Sequence, residues 1–229
     1  MTKRIRSLLV LLAGVLTLAP ARPARAQGFE EARIYIEYNA SANDLGFHVS
    51  LDGEDWKTLK ILDPRGRSIF EVTGKAAYRE LGMTELFFEG AEPNLADVPL
   101  DELLARFPEG SYRFAGKTVD GTSLVSTGTL SYAIPAGPSV SASLDGDTLV
   151  ISWTPVTAPP EGFPDRPIDV TGYQVIVGSF QVTLPGSATS VTVSREFVAS
   201  LAAGEQPFEV LAIDAGGNQT ITEGSFVKE

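Results

Sequence analysis

Apolar and polar residues alternate along most of the second half of the chain. The clearest alternations are TLVISWTP, GYQVIVG, SVTVS and FEVLAID, and Gly, Pro and Asp turns separate them. A period of two places successive side chains on opposite faces of a β-strand. Strands of this length with no helical run between them predict an antiparallel β-sandwich.

The first half shows the same period in RIYIEY and GFHVSL, which places His48 on the polar face, where we expect it to be solvated. Further strands are predicted at TLKIL, SIFEV, TELFFE, SYRFAGKTV and LVSTGTLSYA. One short helix is predicted at PLDELLARFPEG, where leucines and a phenylalanine recur at helical spacing. The fold class predicted for the whole chain is therefore all-β, with two antiparallel β-sandwich domains and one short helix in the first.

Two prolines and a glycine in AIPAGPSV interrupt the strand patterns of the two halves. Proline fixes φ and removes a backbone donor, so this stretch is typical of a short, semi-rigid linker. We predict a first domain over residues 27–133, a linker over 134–139 and a second domain over 140–229.

The second half resembles a fibronectin type III domain across residues 138–227, and this resemblance implies an immunoglobulin-like sandwich for this half. The resemblance rests on VISWTPV, TGYQVIV and VLAIDAGGN, and implies that Trp153 and Tyr173 are buried core aromatics and that Asp214–Asn218 is a turn. LAAGEQPF departs from the family pattern, because it lacks the usual corner tyrosine. The first half is only faintly similar to N-terminal regions of other exported bacterial proteins that carry fibronectin-like domains.

The N-terminus has the layout of a secretory signal peptide, with a basic MTKRIR, an uncharged SLLVLLAGVLTLA and a small-residue Ala24-Arg25-Ala26. Cleavage before Gln27 predicts an exported protein, periplasmic or extracellular, that is not inserted in a membrane. It would remove five of the 18 cations and no acid, and would change the net charge from −11 to −16. Such an acidic chain disfavours nucleic acid as a partner.

A single histidine and the absence of cysteine limit the chemistry. Cysteine nucleophiles and zinc sites with two histidines or several cysteines are excluded. A serine triad would need His48, and the chain has no G-x-S-x-G motif. A small carboxylate-dependent hydrolase remains an alternative, because glycosidases need only two acids.

The stretch EYNASANDLGF is rich in oxygen ligands. If the first strands form a meander with a turn at DGED, the end of the third strand returns to this loop. Glu37, Asn39, Asp44 and Asp63 are then candidate ligands of calcium, which prefers carboxylate and amide oxygens. The alternative is an ordinary turn, whose Asn and Asp side chains bind local backbone. Asn39 and Asn218 also begin glycosylation sequons.

Trp56 is a candidate ligand-binding residue, since a displayed indole stacks on sugar rings, although burial in the core is the alternative. We predict a non-catalytic binding or adhesion module for a protein or saccharide ligand. The alternatives are a calcium-stabilised carbohydrate-binding or accessory module and the hydrolase. Fold resemblance alone does not decide between them.

Overall fold

The computed structural model describes residues 27–229. The predicted signal peptide lies outside the described residues and stays a prediction. None of the helices within residues 27–229 is long and apolar enough to cross a membrane.

The first half contains six strands and two short helices. The strands are β1 (Glu31–Asn39), β2 (Asp44–Leu62), β3 (Ser68–Thr73), β4 (Met83–Glu89), β5 (Gly110–Thr118) and β6 (Ser123–Leu130). The helices are α1 (Ala77–Leu81) and α2 (Leu100–Arg106). Helix α2 is the predicted one, and its Leu103 and Leu104 are buried in the core. The alternation did not predict α1, which has only five residues and none of them buried.

The second half contains seven strands and one short helix. The strands are β7 (Val140–Asp145), β8 (Thr148–Trp153), β9 (Val170–Val177), β10 (Phe180–Pro185), β11 (Ser190–Val193), β12 (Gly204–Asp214) and β13 (Gln219–Lys228). The helix is α3 (Arg195–Ser200). The predicted all-β class is confirmed.

The strands form two sheets. The larger one has ten strands in the order β10-β9-β12-β13-β1-β2-β5-β6, with β3 and β4 also paired to β2, and the smaller one has the order β11-β8-β7. Buried apolar residues form two clusters, one from each half of the chain. The two halves are nevertheless joined, because β1 of the first half pairs in parallel with β13 of the second.

Strand β2 is much longer than predicted, and this changes the topology of the first half. The DGED segment is part of the strand and not a turn, with a register irregularity between Asp52 and Trp56. Residues before it pair with β1 and β4, whereas residues after it pair mainly with β3 and β5. Irregularities of this kind bend a strand and allow it to serve two parts of a sheet. The predicted meander with a turn at DGED is therefore wrong.

The core of the second half agrees with the fibronectin-like resemblance. Trp153 and Tyr173 are buried with ring centroids 5.3 Å apart. The Tyr173 hydroxyl accepts a hydrogen bond of 2.8 Å from the backbone N–H of Val156. In the segment that lacks the corner tyrosine, Phe208 is buried in the core instead.

Asn218, directly before β13, forms hydrogen bonds that connect the two halves of the chain. Its side chain is only 1% exposed and donates to the carbonyl oxygens of Ser131 and Ala133, at 2.9 and 3.0 Å. Its amide oxygen accepts from the backbone N–H of Ile36 in β1, at 2.9 Å. A side chain with these bonds is not accessible to a glycosylating enzyme in the folded protein, so this sequon has a structural role.

We expect Asn218→Ala to lower the free energy of unfolding by about 3 kcal/mol, because it leaves a buried N–H and two partly buried carbonyls without their partner. Urea denaturation measures the change. The matched control is Asn94→Ala, since Asn94 is half-buried and bonds only loop backbone around Ala42 and Ala96. Equal losses in the two variants would contradict a special role for Asn218.

Candidate functional site

The outer face of β13, β1, β2 and β4 lies opposite the first core and is rich in acids. We call it the acidic face. Strand alternation and pairing place eight carboxylates and one arginine on it or at its edge. They are Glu31, Arg33, Glu37, Asp44, Asp52, Glu85, Glu89, Glu92 and Glu223. Arg33 Nη1 lies 3.8 Å from Glu31 Oε1, near one end of β1. Among the described residues, the centre of the face therefore has no basic side chain of lysine or arginine.

His48 lies at the centre of the acidic face and is buried, contrary to the predicted solvated position. Its side chain is 3% exposed, and its ring stacks on Tyr35 with centroids 5.0 Å apart. The ring of Phe87 lies on another side, at 5.9 Å. The sequence correctly places His48 on the outer face, but the neighbouring aromatic rings cover it.

Three glutamates surround the His48 imidazole. Nε2 lies 3.8 Å from Glu37 Oε1 and 3.6 Å from Glu92 Oε1, while Nδ1 lies 3.9 Å from Glu89 Oε2. Nε2 is buried and has no hydrogen-bond partner among the described residues. One ligand atom each from Glu37, His48 and Glu92 lies within 4.8 Å of the others, so these three residues could hold a metal ion.

The surroundings raise the pKa values of Glu37 and Glu92, the two glutamates nearest Nε2. Burial raises the pKa of Glu37 above its ordinary value of 4.5, and the nearby Glu92 and Glu89 carboxylates add to the rise. Burial also raises the pKa of Glu92, together with the charge of Glu89. His48 opposes the rise in both cases. A pair of acids with raised pKa values is a frequent feature of functional sites.

Two neighbouring residues determine where these glutamate side chains lie, one by a hydrogen bond and the other by leaving space. Gln219 in β13 donates a hydrogen bond to Glu37 Oε2, across the parallel strand pair. Gly46, opposite Glu37 in β2, leaves space for Glu92, because a Cβ at Gly46 would lie 2.7 Å from both Glu92 Cγ and Oε1. The sequence did not predict a role for Glu92, which lies in the loop after β4. A glycine inside a strand often marks a place where another group comes close to the backbone, and Gly46 is such a glycine.

The other predicted calcium ligands at this end of the sheet make different contacts. The amide oxygen of Asn39 accepts from the backbone N–H groups of Ser41 and Ala42, at 3.0 Å each, and its amide nitrogen donates to Glu223. Asn39 therefore closes the turn, as the alternative interpretation predicted. Burial raises the pKa of Asp44, and the charge of Glu223 adds to the rise. Calcium binding at Asp44 is an untested prediction.

Asp63 is not a neighbour of these residues. It follows the far end of the 19-residue β2, whereas Asp44 begins that strand. Its carboxylate accepts hydrogen bonds from the backbone N–H groups of Arg65 and Arg67 and from the Arg67 side chain, at 2.8 to 2.9 Å. The predicted grouping of Asp63 with the opening loop is wrong, because it assumed a turn in the middle of β2.

Trp56 is fully buried in the first core, with no exposed surface. It cannot stack on a ligand at the protein surface, so the expectation of a displayed indole is wrong. Large aromatic side chains contribute more by burial than by exposure, which is the alternative that applies here.

The Asp63 contacts predict a pH-dependent stabilisation. Burial by itself would raise the pKa of Asp63, but the hydrogen bonds and charge of Arg67 lower it below 3.8. The stabilisation is therefore present above pH 3.8 and is lost as the pH falls through the lower folded-state pKa. We expect Asp63→Asn to melt below wild type at pH 7, and the difference to shrink towards pH 3. Asp97→Asn, at an exposed turn position, is the control. A difference that is the same at both pH values would contradict this assignment.

No protein family model matches the chain, and no curated protein sequence matches it. Among solved structures, the spore cortex lytic enzyme of Clostridium perfringens is similar over 41% of this chain and 28% of its own, at 20% identity and a TM-score of 0.34. The fibronectin(III)-like modules of Clostridium thermocellum CbhA are similar over 87% of this chain and 93% of their own, at 12% identity and a TM-score of 0.31.

A tetra-tandem repeat in the extending region of a large adhesion protein is similar over 87% of this chain and 50% of its own, at 14% identity and a TM-score of 0.27. Fibronectin type III-like modules are thus among the structural neighbours, as the resemblance of the second half predicted. With TM-scores below 0.5, none of these likenesses assigns an activity or a ligand to this chain.

Proposed function

We propose that this chain is a non-catalytic binding module and that its ligand docks on the acidic face beside Phe87. The observation that carries the proposal is the exposure of Phe87, a large apolar side chain that remains 60% accessible on β4, a strand that pairs only with β2 among the described strands. Aromatic residues are enriched at protein interfaces relative to the rest of the surface. The exported location, periplasmic or extracellular, stays a prediction that fits such a role.

The surface next to Phe87 is concave. A hollow of about 460 Å³ is lined by Phe87 and by oxygen-bearing side chains of β1, β2 and β4. These are Glu31, Ser50, Asp52 and Glu85. This hollow is more polar than most small-ligand pockets, which are lined mainly by apolar side chains, so its composition favours a ligand rich in hydrogen-bond donors.

The charge of this face restricts the class of ligand. Ionised carboxylates only accept hydrogen bonds, so the ligand must supply donors. Saccharide hydroxyls and the ammonium or guanidinium groups of a basic protein segment both satisfy this requirement. The effect of salt separates the two, because electrostatic attraction to a basic segment is screened, whereas hydrogen bonding to a neutral sugar is much less affected.

The test is calorimetric titration of the purified protein with a panel of neutral oligosaccharides and lysine-rich peptides, each at low and physiological salt. We expect Phe87→Ala to weaken binding about tenfold, because loss of one aromatic contact costs about 1.4 kcal/mol. The matched control is Tyr78→Ala, since Tyr78 is also an exposed aromatic, at 64%, but lies on α1.

Weakened binding in Phe87→Ala with unchanged binding in Tyr78→Ala would support the proposal. Equal affinities for the wild type and Phe87→Ala would overturn it. A loss in both variants would also count against it, because that result would indicate non-specific binding through exposed apolar residues.

A carboxylate-dependent hydrolase is a second candidate, favoured by the raised pKa values of the neighbouring Glu37 and Glu92. A glycosidase would use one protonated acid as proton donor and the other as nucleophile or base. For this candidate we expect Glu92→Gln to abolish hydrolysis of chromogenic glycosides, while Glu85→Gln on the same face retains it. Absence of hydrolysis by the wild type across such a substrate set would remove the candidate.

A further inference from the structure

We propose that Glu37, His48 and Glu92 bind one divalent metal ion of the zinc class. This inference does not rest on ligand binding at Phe87 and concerns a different group of atoms. It also differs from the calcium site predicted from the sequence, with which it shares only Glu37.

The main observation is the unpartnered nitrogen of His48. Nε2 is buried, has no hydrogen-bond partner within residues 27–229, and faces Glu37 and Glu92. A buried polar atom without a partner costs about 1–3 kcal/mol. Proteins accept such a cost chiefly where the atom has another role, and imidazole nitrogen is the commonest metal ligand.

The distances between the donor atoms fit a small metal ion. Zinc binds histidine nitrogen and carboxylate oxygen at about 2.0–2.2 Å, so two ligands at a tetrahedral angle lie about 3.4 Å apart. Nε2 is 3.6 Å from Glu92 Oε1 and 3.8 Å from Glu37 Oε1. Both carboxylates are therefore within a few tenths of an ångström of the required separation from Nε2, and all three donor atoms lie within 4.8 Å of one another.

The donor set selects the class of metal. Calcium prefers six to eight oxygen ligands at about 2.3–2.6 Å, and one imidazole with two carboxylates does not provide this. Imidazole nitrogen favours zinc and neighbouring transition metals, and carboxylates are also good ligands for them. Three protein ligands leave at least one coordination position open to water or to a ligand.

The surroundings provide the outer contacts that metal sites need. Gln219 donates to the second oxygen of Glu37, and Glu89 lies 3.9 Å from Nδ1, on the opposite side of the His48 ring from the proposed metal. A carboxylate that is hydrogen-bonded to the distal nitrogen of a metal-binding histidine orients the ring, but at 3.9 Å Glu89 lies beyond hydrogen-bond distance and contributes its charge only. Gly46 leaves the space in which the Glu92 carboxylate lies.

Local electrostatics also favours a cation. The carboxylates of Glu37, Glu89 and Glu92 all lie within 4 Å of one imidazole, and Arg33, the basic residue of the acidic face, is paired with Glu31 instead. A divalent ion would compensate the mutual repulsion of these acids.

The test uses the purified protein without a histidine tag, since His48 is then the only histidine of the chain. Equilibrium dialysis against Zn²⁺, with metal analysis, measures stoichiometry and affinity, and nitrogen-15 NMR of the imidazole reports whether His48 itself binds. We expect one high-affinity Zn²⁺ per chain and a large change of the Nε2 resonance. Ca²⁺ at the same concentration should leave that resonance unchanged.

Three variants complete the test. Glu92→Gln removes a ligand from a loop, and Gly46→Ala pushes the Glu92 carboxylate away without changing any ligand. We expect both to weaken Zn²⁺ binding at least tenfold, while Glu209→Gln, which removes an acid opposite Glu223 in β12, binds as the wild type does. Circular dichroism confirms that each variant is folded.

The proposal is overturned if the wild type binds no Zn²⁺, or if Zn²⁺ binds without moving the His48 resonance. It is also overturned if Glu92→Gln and Glu209→Gln weaken binding equally, because that pattern indicates diffuse attraction to the acidic residues of the sheet. None of these results depends on Phe87, so failure of the metal site and failure of ligand binding can be told apart.

Discussion

The parallel pairing of β1 with β13 is the contact on which the rest of the structure depends. It joins strands that are about 180 residues apart in the chain and makes one sheet from the two halves. Strand pairing alone would leave backbone polar groups after β6 without partners. Asn218 donates to the carbonyl oxygens of Ser131 and Ala133 and accepts from the N–H of Ile36 in β1. Because buried polar groups must find partners, this side chain contributes to how the halves meet, together with the Thr220 hydroxyl, which donates to the carbonyl oxygen of Pro135.

The same pairing builds the candidate site. The register places Gln219 beside Glu37, and the neighbouring antiparallel pair places Gly46 on the other side of Glu37. The side-chain amide of Gln219 donates a hydrogen bond to Glu37. Gly46 has no Cβ, and this leaves room for the side chain of Glu92. The cluster is therefore a product of strand register and not of any local motif.

Sequence alternation predicted the strands and both cores well, because burial of every second residue is a local property of a strand. Ile34, Ile36 and Trp153 are buried as predicted. It failed at DGED, since Asp-Gly is a common turn signal. In the structure Gly53 serves packing within β2, because a Cβ there would lie 2.9 Å from the Phe29 ring. The wrong position of Asp63 followed from that one error, and burial of His48 depended on neighbouring strands that no local pattern reveals.

The cluster around His48 carries an unfavourable contribution to the free energy of folding. Burying an imidazole nitrogen without a hydrogen bond and holding carboxylates beside it both oppose folding. Glu37 is held by Gln219, and the side chain of Glu92, which is 33% exposed, lies in the space over Gly46. Three ligand atoms lie within 4.8 Å of one another, and the proposed cation would satisfy all of them at once.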